Sequence, residues 1–380
     1  MDIHQFDEIR PYTDEEVGPA MRRLADSPQL EGVFAYLYPG QPTAPLREMF
    51  RGIQTSWEFQ TKVMLHAMRK IAKDTTSGLT SEGFERVDVQ NGSLIISNHR
   101  DILLDSALLQ VLMYENNYPT TEISFGDNLM TSDFLVDIGK SNRMFKVLRN
   151  AHPREFYKNS LLLSQYMRQT LTEKHHSIWI AQRNGRTKDG LDATEQGVLK
   201  MFDMSGEGDF IENFAALRIM PMSVSYEYEP CDVLKTNELY VSRRQKYVKI
   251  PGEDLNSILT GIMQQKGGVH YALAPILTRE DIAVAAASGD KNDRFKALAQ
   301  MLDQSIIRNY KLWKTNYIAY DLLNKTASFA EHYSPKDQEA FLSYMHYKLS
   351  PLEGDKEELE DIFLNIYANP IVSKQRFNCL

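Results

Sequence analysis

Between Ser93 and Leu277 short apolar runs alternate with helix-length amphipathic ones, and no other feature restricts the fold of this chain so strongly. The short runs are SLIIS (93–97), EISFG (122–126), SIWIA (177–181), LRIMPMSVSY (217–226) and VHYALAPI (269–276). The long ones are DILLDSALLQVLMYE (101–115), REFYKNSLLLSQYMRQTLTEKH (154–175) and EDLNSILTGIMQQ (253–265). Apolar runs of this length read as strands covered on both faces, and the longer segments repeat apolar residues at helical spacing. The pattern predicts an α/β fold with a mixed, largely parallel sheet flanked by helices.

Helical additions flank this region. Residues 14–37 and 44–75 carry apolar residues three and four apart, broken by YPGQPTAP, and from Asp293 onward the pattern is helical again. The predicted organisation is an N-terminal helical subdomain over 1–90, an α/β domain over 91–280 and a C-terminal helical extension over 281–380. Aromatic and Met residues in FQTKVMLHAM (59–68) and NYKLWKTNYIAY (309–320) stand at helical spacing, as core residues or as the lining of an apolar tunnel or docking surface.

Composition excludes several classes. No stretch approaches the ~18 apolar residues of a spanning helix, and MDIHQFDEIRPYTDEE lacks the basic and apolar regions of a secretory signal. Composition leaves a protein that is soluble or peripherally bound at a membrane surface, with the cytoplasm as the expected compartment. Two cysteines, Cys231 and Cys379, suit a reducing compartment and do not make a four-ligand zinc site; no metal is expected. A net charge of -8 argues against nucleic acid. From Lys140 to Lys200, however, twelve basic residues stand against five acidic ones, a local excess suited to a small anionic substrate or a membrane-facing patch.

In a sheet of this kind ligands gather beyond the carboxyl ends of the strands, and SLIISNHRDILLDSALL (93–109) is such a strand-to-helix junction. Its His-Arg-Asp is not a kinase catalytic loop, because Ser106 stands where that loop needs Asn, and neither a preceding glycine-rich loop nor an Asp-Phe-Gly is present. A plain capped turn explains the aspartates, Asp101 as N-cap and Asp105 as a first-turn acid, and leaves His99 and Arg100 unexplained.

NHRDILLD (98–105) resembles the first motif of the glycerolipid acyltransferases, the glycerol-3-phosphate and 1-acylglycerol-3-phosphate acyltransferase family. SIWIAQRNGRTKDG (177–190) is similar to that family's third motif through Gly185, Arg186, Thr187, Lys188 and Gly190. LRIMPMSVSYEYEP (217–230) is similar to its fourth, with Pro221 in the strand and Ser225, Tyr226 and Glu227 after it. MFKVLRN (144–150), containing Arg149, is a looser match to the second. The four occur in family order, over about Ser93 to Leu277. Two departures stand out. Five residues separate His99 from Asp105 where the family has four, and Arg183 stands where many members have Glu.

The chemistry can be argued from the residues as well. Acyl transfer from a thioester to a hydroxyl requires a general base, a donor to the oxyanion and, for a phosphorylated acceptor, fixed cations. His99 is the candidate base, with Asp105 or Asp101 to orient its ring. One extra residue turns a helix by about 100°, so Asp105 meets His99 only if that residue lies in the loop ahead of the helix. Arg186 and Lys188, in a turn flanked by Gly185 and Gly190, are candidate phosphate ligands. Arg100, Lys146 and Arg149 are candidates for the same pocket, and Pro221 enters through its motif. The resemblance implies an O-acyltransferase that moves a fatty acyl group from acyl-ACP or acyl-CoA, as co-substrate and without a cofactor, to glycerol-3-phosphate or 1-acylglycerol-3-phosphate. The alternatives are the same chemistry on another lipid hydroxyl, such as an amino-acid lipid, and a non-catalytic lipid-binding relative.

Overall fold

A computed structural model describes residues 3–148 and 153–380. Its centre is one seven-stranded sheet made of β1 (Thr76–Glu82), β2 (Leu94–Ser97), β3 (Glu122–Gly126), β4 (Met144–Val147), β5 (Ile178–Ala181), β6 (Ile219–Tyr226) and β7 (Gly267–Leu273). The spatial order is β1-β7-β6-β2-β5-β3-β4. All neighbouring pairs are parallel except β6 with β7. The expected mixed, largely parallel sheet between helices is therefore present, and β2 to β6 all send their carboxyl ends to one edge.

The five predicted strands correspond to β2, β3, β5, β6 and β7, while β1 and β4 were not legible as strands. β1, TSGLTSE, lies at the sheet margin with an almost entirely exposed pattern, so no apolar run marks it. It belongs to the stretch predicted to be helical, where the helices end at Thr75. β4 has only four residues and closes the opposite margin.

Every residue of β2 and of β6 is buried, as expected of strands inside a sheet covered on both faces. One face of the sheet, through Leu94, Ile96, Ile178, Ile180 and Ile219, packs on the helices Pro153–Thr172, Gln196–Asp203 and Lys291–Arg308. The other face, through Ile95, Trp179, Met220, Met222 and Val224, packs on the helix Leu104–Glu115 and on Ala67, Met68 and Ile71 of Leu65–Thr75. The N-terminal helices have a further core of their own around Met21, Phe34, Phe50 and Phe59.

The C-terminal helices share in the central core. Phe295, Leu298 and Leu302 of Lys291–Arg308 pack with Leu94 and Ile96 of β2. Buried Asp232 accepts from Tyr344 Oη at 2.6 Å and Tyr367 Oη at 2.9 Å, which ties Pro335–Leu349 and Lys356–Arg376 to the helix Asp232–Ser242. Thr315 Oγ1 donates to the Glu227 carbonyl at 2.6 Å, just after β6. Among the described residues no helix is long and apolar enough to cross a membrane.

Candidate active site

At the end of β2 a side chain takes over from the backbone. Asn98 donates from Nδ2 to the Val224 carbonyl at 2.9 Å and accepts the Val224 N–H at 2.8 Å, so its amide prolongs the ladder to β6 by one step. Nδ2 also reaches Asp192 at 3.1 Å. The chain leaves the sheet along a fixed path, and the next residue, His99, enters a largely enclosed position with 13% of its side chain exposed.

His99 Nδ1 lies 2.9 Å from Asp105 Oδ2. That oxygen also accepts the backbone N–H groups of Arg100 at 2.6 Å and Asp101 at 2.9 Å, while Asp105 Oδ1 accepts from Tyr226 Oη at 2.7 Å. A carboxylate that accepts three other hydrogen bonds is an acceptor toward the imidazole too, so Nδ1 carries the ring proton and Nε2 is left as the basic nitrogen. Burial, and then the charge of Asp105, push the Tyr226 phenol well above its ordinary value and keep it a donor. The Trp179 ring meets the imidazole edge-on at 6.0 Å, and its indole N–H is held by Ser97 Oγ at 3.0 Å.

The extra residue between His99 and Asp105 is absorbed ahead of the helix. The helix begins at Leu104, and Asp101 Oδ1 accepts the N–H groups of Leu103 at 2.9 Å and Leu104 at 2.8 Å. Asp101 is thus the cap, satisfying backbone donors at the helix start, and Asp105 is the partner of His99, satisfying two backbone donors of the loop ahead of the helix. The other oxygen of Asp101, Oδ2, is buried without a hydrogen-bond partner among the described residues and lies against Gly261, where any Cβ would clash with it. Burial, then the charge of Asp105, raise the Asp101 carboxyl from its usual range, against the pull of the Leu104 N–H and Arg186.

The loop after β5 is laced to the loop after β2. The Thr187 N–H donates to the His99 carbonyl at 2.7 Å, and Thr187 Oγ1 donates to Asp192 at 2.7 Å. Gly185 has φ +77° with open space at its Cβ position; Gly190 has φ +82°, and a Cβ there would strike the Ile366 carbonyl of the C-terminal helix. Both turns need backbone that glycine adopts without penalty. Arg186, half-buried between them, has a buried Nη1 without a partner among the described residues. Lys188 is ion-paired with Glu238.

The structure brings His99, Asp105, Asp101, Gly185 and Arg186 together, and disperses the remaining candidates. Arg100 is fully buried. It donates to Asp192 at 2.6 Å, Glu229 at 3.2 Å and the Gly190 carbonyl at 3.3 Å, and lies over the Tyr310 ring. Lys235 bonds Glu229 at 2.6 Å and the Arg100 carbonyl at 2.8 Å. Burial opposes the Arg100 charge, but Asp192 and Glu229 outweigh it and hold its pKa well above the ordinary value. With its carboxylate partners already inside the protein, Arg100 ties the site loops together. Lys146 lies on β4, three strands from β2 in the sheet order, and is not part of the cluster. Arg149 lies outside the described residues. Pro221 is buried opposite Ile96, and its carbonyl accepts Ala274 N–H at 2.8 Å. The β6–β7 pairing starts one residue later, at Met222, so the N–H that proline lacks falls at the end of that pairing.

Sequence reasoning left Tyr226 without a role, although its motif was noted, and missed Asp192, Glu229, Lys235 and Tyr271. Tyr271 Oη donates to the Leu104 and Asp105 carbonyls at 2.9 and 3.0 Å, fixing the turn that presents Asp105. A Tyr at the end of a buried strand was the one available signal, because a buried phenol needs a partner.

The fold and the site together define a mixed α/β protein with an oriented His–Asp pair and a glycine-flanked cationic loop at the carboxyl ends of adjacent strands. No family model matches this chain, and no curated protein matches it. Among solved structures the chain is similar to the crystal structure of the 1-acyl-sn-glycerophosphate (LPA) acyltransferase, PlsC, from Thermotoga maritima, at 10% sequence identity over 77% of this chain and 96% of that chain, with a TM-score of 0.39.

Proposed function

We propose that the protein is an O-acyltransferase that moves a fatty acyl group from an acyl thioester, on acyl carrier protein or coenzyme A, to glycerol-3-phosphate or 1-acylglycerol-3-phosphate at the inner membrane face. The observation that carries this reading is the His99–Asp105 pair: an imidazole whose Nδ1 is bound at 2.9 Å, leaving Nε2 as the base, beside a loop that holds Arg186. The order of the four motif resemblances supports it.

In the proposed reaction His99 Nε2 takes the proton of the acceptor hydroxyl as its oxygen attacks the thioester carbonyl. The tetrahedral intermediate collapses with cleavage of the C–S bond, and the imidazolium returns the proton to the leaving thiolate. Asp105 stabilises the imidazolium, Tyr226 and the two backbone N–H groups hold Asp105, and Arg186 binds the acceptor phosphate. The protein supplies no covalent nucleophile in this scheme.

Thiol release from acyl thioesters, measured with each acceptor and compared with His99→Ala, tests the reading. The expected result is acceptor-dependent release that the variant lacks. Background release by both proteins with every acceptor overturns it.

A further inference from the structure

Fourteen large apolar side chains are exposed among the described residues, and five of them fall within sixteen positions: Val248, Ile250, Leu255, Leu259 and Met263, each between 52% and 73% exposed. The last three lie four residues apart on the helix Glu253–Met263. At about 100° per residue they occupy one stripe, and buried Ser257 and Gly261 lie roughly 180° from it. The helix therefore buries the small residues Ser257 and Gly261, packs Ile262 partly against the core, and presents Leu255, Leu259 and Met263 outward, a second apolar stripe that a helix covering only a core does not have. Val248 and Ile250 extend the stripe, because their loop is folded back on the first turn of the helix: Tyr247 Oη and the Ile250 N–H both donate to Glu253, at 2.9 and 3.2 Å.

Positive charge gathers at the same end. In a chain of net charge -8, residues 243–250 hold Arg243, Arg244, Lys246 and Lys249 and no acid. Arg243 and Arg244 share Glu358, Lys249 pairs with Asp254, and Lys246 is exposed. Arg186 acts electrostatically on Asp254 from the site side. Of the loop's cations Arg243 and Arg244 share one carboxylate and Lys246 has no ion pair among the described residues, while Glu238 and Asp355 lie nearby in addition to Glu253, Asp254 and Glu358. A convex apolar stripe with a cationic end matches a deformable anionic surface better than a preformed protein groove.

We infer that the helix Glu253–Met263 and the loop 243–250 form a surface that docks on an anionic lipid bilayer. The inner face of this helix touches the site, since Gly261 packs on Asp101, the cap of the helix that carries Asp105. Docking sets the His99 loop one helix thickness from the lipid. This placement rests on the acyl-transfer reading only in making the acceptor a lipid product or precursor; the surface itself rests on exposure and charge.

The test is flotation of the full chain with phosphatidylcholine vesicles, alone or with about one-third phosphatidylglycerol. It is run beside a triple variant (Leu255→Ser, Leu259→Ser, Met263→Ser) and a double variant (Lys246→Glu, Lys249→Glu), with circular dichroism to show that each folds. The expected result is flotation that favours the anionic vesicles and weakens with salt, lowered roughly tenfold in each variant. Absence of flotation, or variants that float like the parent chain, overturns the inference. So does variant-sensitive binding to an acidic carrier protein without vesicle binding. Thiol release with water-soluble glycerol-3-phosphate should be unchanged in both variants. Flotation without thiol release would sink the acyl-transfer reading and leave the surface, whereas thiol release without flotation would do the opposite.

Discussion

Oδ2 of Asp105 lies 2.9 Å from His99 Nδ1 and also takes the backbone N–H groups of Arg100 and Asp101, so one oxygen fixes both the imidazole and the loop that carries it. Asp105→Asn keeps an acceptor but removes the charge that stabilises the imidazolium. It should lower kcat by roughly a hundred- to ten-thousandfold with the fold retained, measured by thiol release and circular dichroism. Tyr226→Phe leaves Asp105 Oδ1 without its donor and should cost about 1–2 kcal/mol in urea unfolding, with a smaller loss of kcat.

Arg186 and Lys188 occupy the same turn but differ in what already holds them. Arg186→Ala should raise KM for a phosphorylated acceptor by roughly tenfold or more and affect kcat less, because a charge-assisted contact to phosphate is lost. Lys188 is committed to Glu238, so Lys188→Ala should move KM by less than about threefold. Initial rates over a range of acceptor concentrations distinguish the two.

Arg100 tests structure against substrate binding. Its removal leaves Asp192 and Glu229 facing each other's charge inside the protein, with Lys235 as the remaining cation. Arg100→Met should therefore destabilise the fold by about 3–5 kcal/mol in denaturant unfolding. KM of the folded fraction should stay close to that of the parent chain; a selective rise in KM at unchanged stability would contradict the structural role.

Asp303 gives a pH dependence. Thr194, in the loop after β5, donates to it from its N–H at 2.7 Å and from Oγ1 at 2.6 Å, yet burial raises its pKa to about 6. The folded chain binds this proton more tightly than the unfolded chain. The contribution to stability is therefore present below about pH 4 and is lost as pH rises toward 6, on the order of 2 kcal/mol from this group. Thermal unfolding across that window should show a shallower decline with rising pH in Asp303→Asn than in the parent chain.

The sheet was legible wherever burial on two faces forces a continuous apolar run, as in LIIS of β2 or IWIA of β5, and β1 and β4 were hidden because margin strands carry no such constraint. In the same way the sequence by itself determined that His99, Asp101, Arg186 and two glycines lie in loops leaving parallel strands and that Asp105 lies in the first turn of the helix that follows, since strand-to-helix junctions are local. What each of them touches depends on segments far away in the chain. Only the tertiary structure decided that the extra residue before Leu104 makes Asp101 a cap and gives Asp105 to His99, with Tyr226, 121 positions away, completing the carboxylate's partners. It also turned Arg100 inward. In sequence Arg100 and Arg186 are both guanidinium groups in loops that follow strands, but the carboxylates Asp192 and Glu229 converge on the first, whereas no ion pair holds the second among the described residues. A cation's function follows from whether carboxylates converge on it, and that convergence is set by how distant strands and helices pack.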